Sequence, residues 1–136
     1  MNVHGHCLCG KVEFEIKILN KFFNSCHCSM CRLWSGGPSL SVDTMDGIHF
    51  TSDEYIKIYN SSEWAERGFC NQCGTHLFYK LKNGTYCNVP LGLLKNQSEF
   101  KFKSQIFIDH KPNCYNFSNK TEMYTEMEVL QASNKK

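Results

Sequence analysis

Cysteine is the residue type with the clearest chemical pattern in this chain. Nine of the 136 residues are cysteines, and seven of them fall into three clusters: Cys7-Leu8-Cys9, Cys26-His27-Cys28-Ser29-Met30-Cys31 and Cys70-Asn71-Gln72-Cys73. An odd number of cysteines without an export signal argues against a disulfide framework. A redox role for Cys70 and Cys73 is also disfavoured, because the βαβ context of such a motif is absent. The clusters therefore predict metal ligation, with zinc as the ion.

The first and third clusters share a feature that pairs them, since each is followed directly by a glycine, Gly10 or Gly74. Glycine adopts positive φ, which lets backbone N–H groups turn toward metal-bound sulfurs. In extended backbone, residues i and i+2 point to the same side, so the first cluster can offer two thiolates to one ion. We therefore predict one closed, tetrahedral structural zinc held by Cys7, Cys9, Cys70 and Cys73.

The middle cluster is followed by Arg32 instead of glycine, and its three cysteines remain for a second zinc ion: Cys26, Cys28 and Cys31. Three protein ligands with an open fourth position are the usual arrangement of a catalytic zinc. The spacing alone leaves a second structural site equally open, with a further side chain as the fourth ligand. The candidates for that ligand are His27, His49, His76, Cys87 and Cys114. The last two also fit small buried side chains.

Hydrophobic residues with a period of two indicate strands rather than long helices. The clearest segment is 11–18, where four apolar residues share one face: Val12, Phe14, Ile16 and Ile18. Weaker strand patterns cover 47–51, 55–60, 75–81, 85–90 and 102–109. Asn83-Gly84 supplies a hairpin turn. No run of helical spacing exceeds about three turns. We expect a mostly β fold, a single zinc-binding domain of antiparallel sheets with little helix.

Length and composition favour one domain over residues 1–130, followed by a frayed tail over 131–136. Apolar residues make up 41% and charged residues 21% of the chain, which excludes wholesale disorder. The formal net charge of +2 is scattered, so nucleic acid is not an expected partner. No stretch is long and apolar enough to span a bilayer, and no secretion signal is evident. We therefore expect a cytoplasmic protein; the sequence does not indicate its oligomeric state.

The three clusters are embedded in longer motifs: Gly5-His6-Cys7-Leu8-Cys9-Gly10-Lys11-Val12, Cys26-His27-Cys28-Ser29-Met30-Cys31-Arg32 and Arg67-Gly68-Phe69-Cys70-Asn71-Gln72-Cys73-Gly74-Thr75. Together these motifs resemble the glutathione-dependent formaldehyde-activating enzyme family, which includes centromere protein V. The resemblance implies a β-rich domain with the same division of cysteines, the triplet holding a catalytic zinc. It also implies a carbon–sulfur lyase activity, the reversible addition of the glutathione thiol to formaldehyde.

A zinc ion held by three thiolates is a weak Lewis acid, but it can bind a further thiol and favour its ionised form. Such a site would add a thiol to a small aldehyde or cleave the adduct. We expect His27 or a water molecule to supply the proton. Arg32 and Arg67 are expected to bind the glutathione carboxylates, unless they only brace their loops, and Lys111 is a lesser candidate. The alternative function is a non-catalytic, zinc-stabilised binding module.

Overall fold

The computed structural model describes residues 1–134 and divides the chain into two compact units. The first unit comprises Met1–Lys21 and Ser41–Phe100, and the second comprises Phe22–Leu40 and the described residues from Lys101 onward. Strands account for 42% of the chain and helices for 17%, which confirms the mostly β fold class. The single domain over 1–130 stays a prediction.

The strands and helices are short throughout the described residues. In chain order the strands are β1 Asn2–His6, β2 Glu13–Lys17, β3 Phe22–Cys26, β4 Ser39–Asp43, β5 Met45–Phe50, β6 Ile56–Tyr59, β7 Ala65–Cys70, β8 His76–Leu81, β9 Cys87–Pro90, β10 Lys101–Ile106 and β11 Glu122–Tyr124. The α-helices are α1 Ser29–Ser35 and α2 Glu126–Asn134. Single 3-10 turns span Leu91–Leu93, Gln97–Glu99 and Ile108–His110.

The first unit contains antiparallel sheets, as the sequence predicts. Strands β1, β2 and β5 form one sheet with β2 in the centre. Strand β4 carries the chain into this unit and pairs with β9, and the order continues through β8 and β7 to β6. The residues predicted to share one face of β2 are buried: Val12, Phe14, Ile16 and Ile18. The Phe14 ring packs edge-on against Phe50, which in turn contacts Phe78.

The second unit departs from the antiparallel expectation. Strand β10 pairs in parallel with both β3 and β11. Its apolar packing is aromatic: the Phe23 and Phe102 rings stack with centroids 4.8 Å apart, and Phe117 meets Phe102 edge-on. Of the predicted frayed tail, residues 131–134 belong to α2, and residues 135–136 lie outside the described part of the chain.

Candidate metal centres

Two turns of the same construction present the four cysteines of the first unit. Strand β1 ends immediately before Cys7, and β7 ends at Cys70. In each turn a glycine N–H donates to the carbonyl of the first cysteine: Gly10 to Cys7 at 3.1 Å and Gly74 to Cys70 at 2.8 Å. The φ angles of the two glycines are 81° and 80°, a left-handed conformation that side chains rarely adopt. The two clusters that were paired because each precedes a glycine therefore share the same backbone geometry.

The sulfur atoms of this four-cysteine group, Cys7, Cys9, Cys70 and Cys73, all lie within 4.8 Å of one another. The Sγ atoms of Cys7 and Cys9 are 3.5 Å apart, and those of Cys9 and Cys70 are 3.8 Å apart. Tetrahedral zinc with Zn–S bonds of about 2.3 Å requires ligand separations of roughly 3.8 Å, so the spacing suits this ion. The backbone N–H groups of Val12 and Gln72 point at the sulfurs of the two buried cysteines, at 3.3 and 3.4 Å.

Thr75 links the two turns, a role that sequence reasoning missed. Its hydroxyl accepts a hydrogen bond from the Leu8 N–H at 3.1 Å and lies 3.1 Å from the Cys73 sulfur. Hydrogen bonding from this hydroxyl lowers the pKa of Cys73 to about 5. A thiol that ionises readily is a better metal ligand. The only signal for Thr75 in the sequence is its position directly after Gly74.

The second unit holds the three-cysteine group, Cys26, Cys28 and Cys31, whose sulfurs also lie within 4.8 Å of one another. Strand β3 ends at Cys26, and Cys28 is the N-cap of α1, accepting the Cys31 N–H on its sulfur at 3.4 Å. The N-cap and the third helical residue face each other across the first turn, which explains why these two sulfurs converge. All three ligands therefore come from one strand end and one helical turn.

The crowding of these thiols has an electrostatic consequence. Hydrogen bonds with the Cys28 and Cys31 thiols, followed by burial, raise the pKa of Cys26. Three neighbouring thiols cannot all ionise without a nearby positive charge, because their negative charges repel one another. A soft divalent cation supplies that charge, so the donor set fits zinc.

No fourth His, Cys, Asp or Glu joins this group among residues 1–134. Two of the predicted fourth ligands, His27 and Cys114, lie in the same unit, and neither belongs to the group. The other three are residues of the first unit: His49, His76 and Cys87. Cys87 is buried as expected, whereas the expectation that Cys114 is buried is wrong, because its side chain is exposed.

His27, the predicted proton donor, lies inside the protein, and its role stays a prediction. The side chain is fully buried, and burial lowers the pKa of the ring. Its Nε2 lies 2.8 Å from Gln105 Oε1, and its Nδ1 lies 2.8 Å from the Tyr115 hydroxyl. Both ring nitrogens therefore already have protein partners, and neither can reach a substrate unless one of these hydrogen bonds breaks. Gln105 and Tyr115 are far from His27 in sequence, so no local pattern predicts this arrangement.

The predicted carboxylate-binding residues have different surroundings. Arg32 is half-buried and donates from Nε to the His27 carbonyl at 3.0 Å. Arg67 is only 5% exposed, and its guanidinium stacks 4.9 Å from the Tyr79 ring centroid, which fits a bracing role. Lys111 donates from Nζ to the carbonyls of Pro112 and Tyr115 within its own loop. Arg32 is therefore the best placed of the three to bind an anionic ligand.

The chain is mostly β and carries one four-cysteine group and one three-cysteine group, each of which could hold a metal ion. Residues 2–110 match the family model described as glutathione-dependent formaldehyde-activating enzyme. The chain belongs to this family, so the resemblance seen in its motifs is confirmed.

Two named relatives and one solved structure are similar to this chain. A Schizosaccharomyces pombe protein named as an uncharacterized lyase is 35% identical over 129 residues, which cover 94% of each chain. A Halomonas elongata protein, named provisionally as a glutathione-dependent formaldehyde-activating enzyme, is 32% identical over 57% of this chain and 55% of its own. A crystal structure of a Rhodobacter sphaeroides protein is similar in fold, with a TM-score of 0.60 at 20% identity over 90% of this chain and 99% of its own.

Within residues 1–134, no helix has the length and apolar character needed to cross a membrane.

Proposed function

We propose that this protein is a zinc-dependent carbon–sulfur lyase that joins a small thiol to a small aldehyde or cleaves the adduct. Two relatives are named for a lyase and for glutathione-dependent formaldehyde activation, which supports glutathione and formaldehyde as the substrate pair. The observation that carries the proposal is the three-cysteine group, which gathers three sulfurs and includes no fourth protein ligand among the described residues.

The seven clustered cysteines divide into four that would stabilise the fold and three that would take part in the reaction. The four-cysteine group would hold a structural zinc, because four sulfurs close a tetrahedral site. Cys26, Cys28 and Cys31 would hold the second zinc, which when bound stabilises the ionised form of a thiol. Three thiolates also make this site poorly suited to activating water, which favours thiol chemistry over hydrolysis.

The net reaction balances without an oxidant or a reductant. In the synthetic direction a bond forms between the thiol sulfur and the aldehyde carbon, the thiol loses its proton, and the former carbonyl oxygen gains one. In the lyase direction the same carbon–sulfur bond breaks, the hydroxyl oxygen of the adduct loses its proton, and the thiol sulfur gains one. Because both nitrogens of His27 are engaged inside the protein, we assign the proton transfer at oxygen to a water molecule. Arg32 remains the candidate partner for a glutathione carboxylate.

The test is formation of S-hydroxymethylglutathione from glutathione and formaldehyde, measured against the uncatalysed rate. Wild type should accelerate the reaction, Cys28→Ser should lose the acceleration, and Cys114→Ser should keep it, since Cys114 is exposed and belongs to neither group. Serine is itself a good N-cap, so Cys28→Ser removes the metal ligand without removing the cap of α1. A folded, zinc-loaded wild type without activity toward glutathione–aldehyde adducts would instead indicate the binding module.

A further inference from the structure

A chain of hydrogen bonds with two buried members begins at His27, the residue between Cys26 and Cys28. The His27 ring bonds Gln105 through Nε2 and Tyr115 through Nδ1, each at 2.8 Å. Gln105 in turn donates from its side-chain nitrogen to the Thr121 hydroxyl at 3.0 Å. His27 and Gln105 are buried, with exposures of 0% and 2%. Four polar side chains from separate segments are thereby joined inside the second unit.

The direction of each hydrogen bond follows from Gln105. Because its amide nitrogen donates to Thr121, its oxygen is the atom that faces His27 and can only accept. His27 Nε2 must then carry the hydrogen, and in a neutral ring Nδ1 is left as an acceptor. The Tyr115 hydroxyl therefore donates to Nδ1.

The backbone of His27 is held as firmly as its ring. Its N–H donates to the Ile106 carbonyl at 3.1 Å, and its carbonyl accepts from Arg32 Nε at 3.0 Å. Four hydrogen bonds therefore fix one residue whose two neighbours, Cys26 and Cys28, carry sulfurs of the triplet. Restricting the backbone at position 27 restricts the directions in which those two sulfurs point.

We propose that His27, held in its Nε2–H tautomer by Gln105 and Tyr115, is a positioning residue that preorganises the three-cysteine group for zinc. This inference rests on the proposed function in one respect, the binding of zinc by the triplet. A phenylalanine would fill a similar volume and keep the two backbone hydrogen bonds, but it would lose both side-chain hydrogen bonds, to Gln105 of β10 and to Tyr115. Residues that orient metal ligands from outside the coordination sphere typically change metal affinity by roughly 10- to 100-fold.

The experiment measures the zinc affinity of the triplet in the full-length protein by competition with a chromophoric chelator. Cys28→Ser identifies the triplet, because only that zinc should be lost in this variant. Gln105→Leu removes the acceptor for His27, Gln105→Glu restores one, and Tyr115→Phe removes the second partner. Tyr86→Phe is the matched control, since the Tyr86 hydroxyl is also hydrogen-bonded, to Asp43, but belongs to the first unit.

We expect Gln105→Leu and Tyr115→Phe to weaken zinc binding at the triplet by roughly 10- to 100-fold. Gln105→Glu should remain close to wild type, Tyr86→Phe should have no effect, and nitrogen NMR of His27 should show the Nε2–H tautomer. Unchanged affinity in Gln105→Leu, an equal loss in Tyr86→Phe, or an Nδ1–H tautomer would overturn the inference. The readout is separate from turnover, so a zinc-loaded triplet without lyase activity would refute the proposed function alone.

Discussion

The four-cysteine and three-cysteine groups differ in how much chain each would tie together. The sulfurs of Cys9 and Cys70 are 3.8 Å apart in space and 61 residues apart in sequence, so a metal there closes a long loop. The sulfurs of the triplet lie within a segment of six residues, in which one turn of α1 already brings Cys28 and Cys31 together. Loop closure stabilises a fold more when the loop is long. A metal in the first group would therefore stabilise the fold, whereas a metal in the second could exchange or bind a further ligand without unfolding the chain.

The largest effect should come from breaking the long-range group. Cys70→Ser removes a fully buried ligand and should lower the free energy of unfolding by on the order of 5 kcal/mol or more, comparable with the stability of a whole domain. Cys28→Ser, which keeps the N-cap, should cost less than about 1 kcal/mol. Chemical denaturation of both variants beside wild type measures the difference. Equal losses of stability would remove the distinction between the two groups.

Removal of metal by a chelator should distinguish the four-cysteine group from the three-cysteine group in a single sample. We expect a chelator to withdraw zinc in two phases, first from the triplet and then from the four-cysteine group, because the latter has more sulfur ligands and two fully buried cysteines. Circular dichroism should stay native through the first phase and change with the second. Simultaneous loss of all zinc and of the fold would contradict this order.

Thr75→Val should weaken the four-cysteine group alone. The variant loses the hydroxyl beside the Cys73 sulfur and the acceptor for the Leu8 N–H, at a cost of about 1 to 2 kcal/mol.

The folded-state pKa of Cys73 is depressed from 9.0 to about 5, so its contribution to stability is present above 9.0 and is lost as pH falls toward 5. Without the hydroxyl that loss should begin at higher pH. Thr75→Ser is the control and should release its zinc at the wild-type pH.

An effect on stability no larger than that of Thr75→Val should come from the turn glycines. Gly74→Ala forces a side chain into φ of 80°, at a cost of about 1 to 2 kcal/mol, although no atom blocks the added methyl group. Gly37→Ala, six residues after Cys31 in sequence, also meets open space and lacks the positive φ, so its stability should match wild type. Thermal unfolding of the pair measures the strain of the turn. A neutral Gly74→Ala would show that the turn does not need its glycine.

The sequence was informative where a local repeat or spacing exists. The cysteine clusters predict both groups, and alternation predicts β2, because one face of that strand is buried and the other is not. Strand β7 could not be predicted from alternation, because its burial does not alternate: Ala65, Arg67, Gly68 and Cys70 are all buried. Helix α1 has only seven residues, too few for a helical period to stand out.

Long-range contacts that no repeated motif marks could not be predicted in the same way. The partners of His27 lie 78 and 88 residues away, and nothing in the local sequence distinguishes a histidine with internal hydrogen bonds from one that faces a substrate. The parallel pairing of β10 with β3 and β11 is also invisible to local patterns, since alternation does not indicate strand direction. The partners of His27 and the direction of these strands can be predicted only once the fold is known.

The most direct test of the division between the two groups is anomalous diffraction at the zinc edge, on crystals of protein purified without chelator. The account predicts two zinc ions, one bound by the sulfurs of Cys7, Cys9, Cys70 and Cys73, the other by those of Cys26, Cys28 and Cys31 with a fourth ligand that is not a protein side chain. A side chain completing the second site, or a second site without zinc in such crystals, would contradict it.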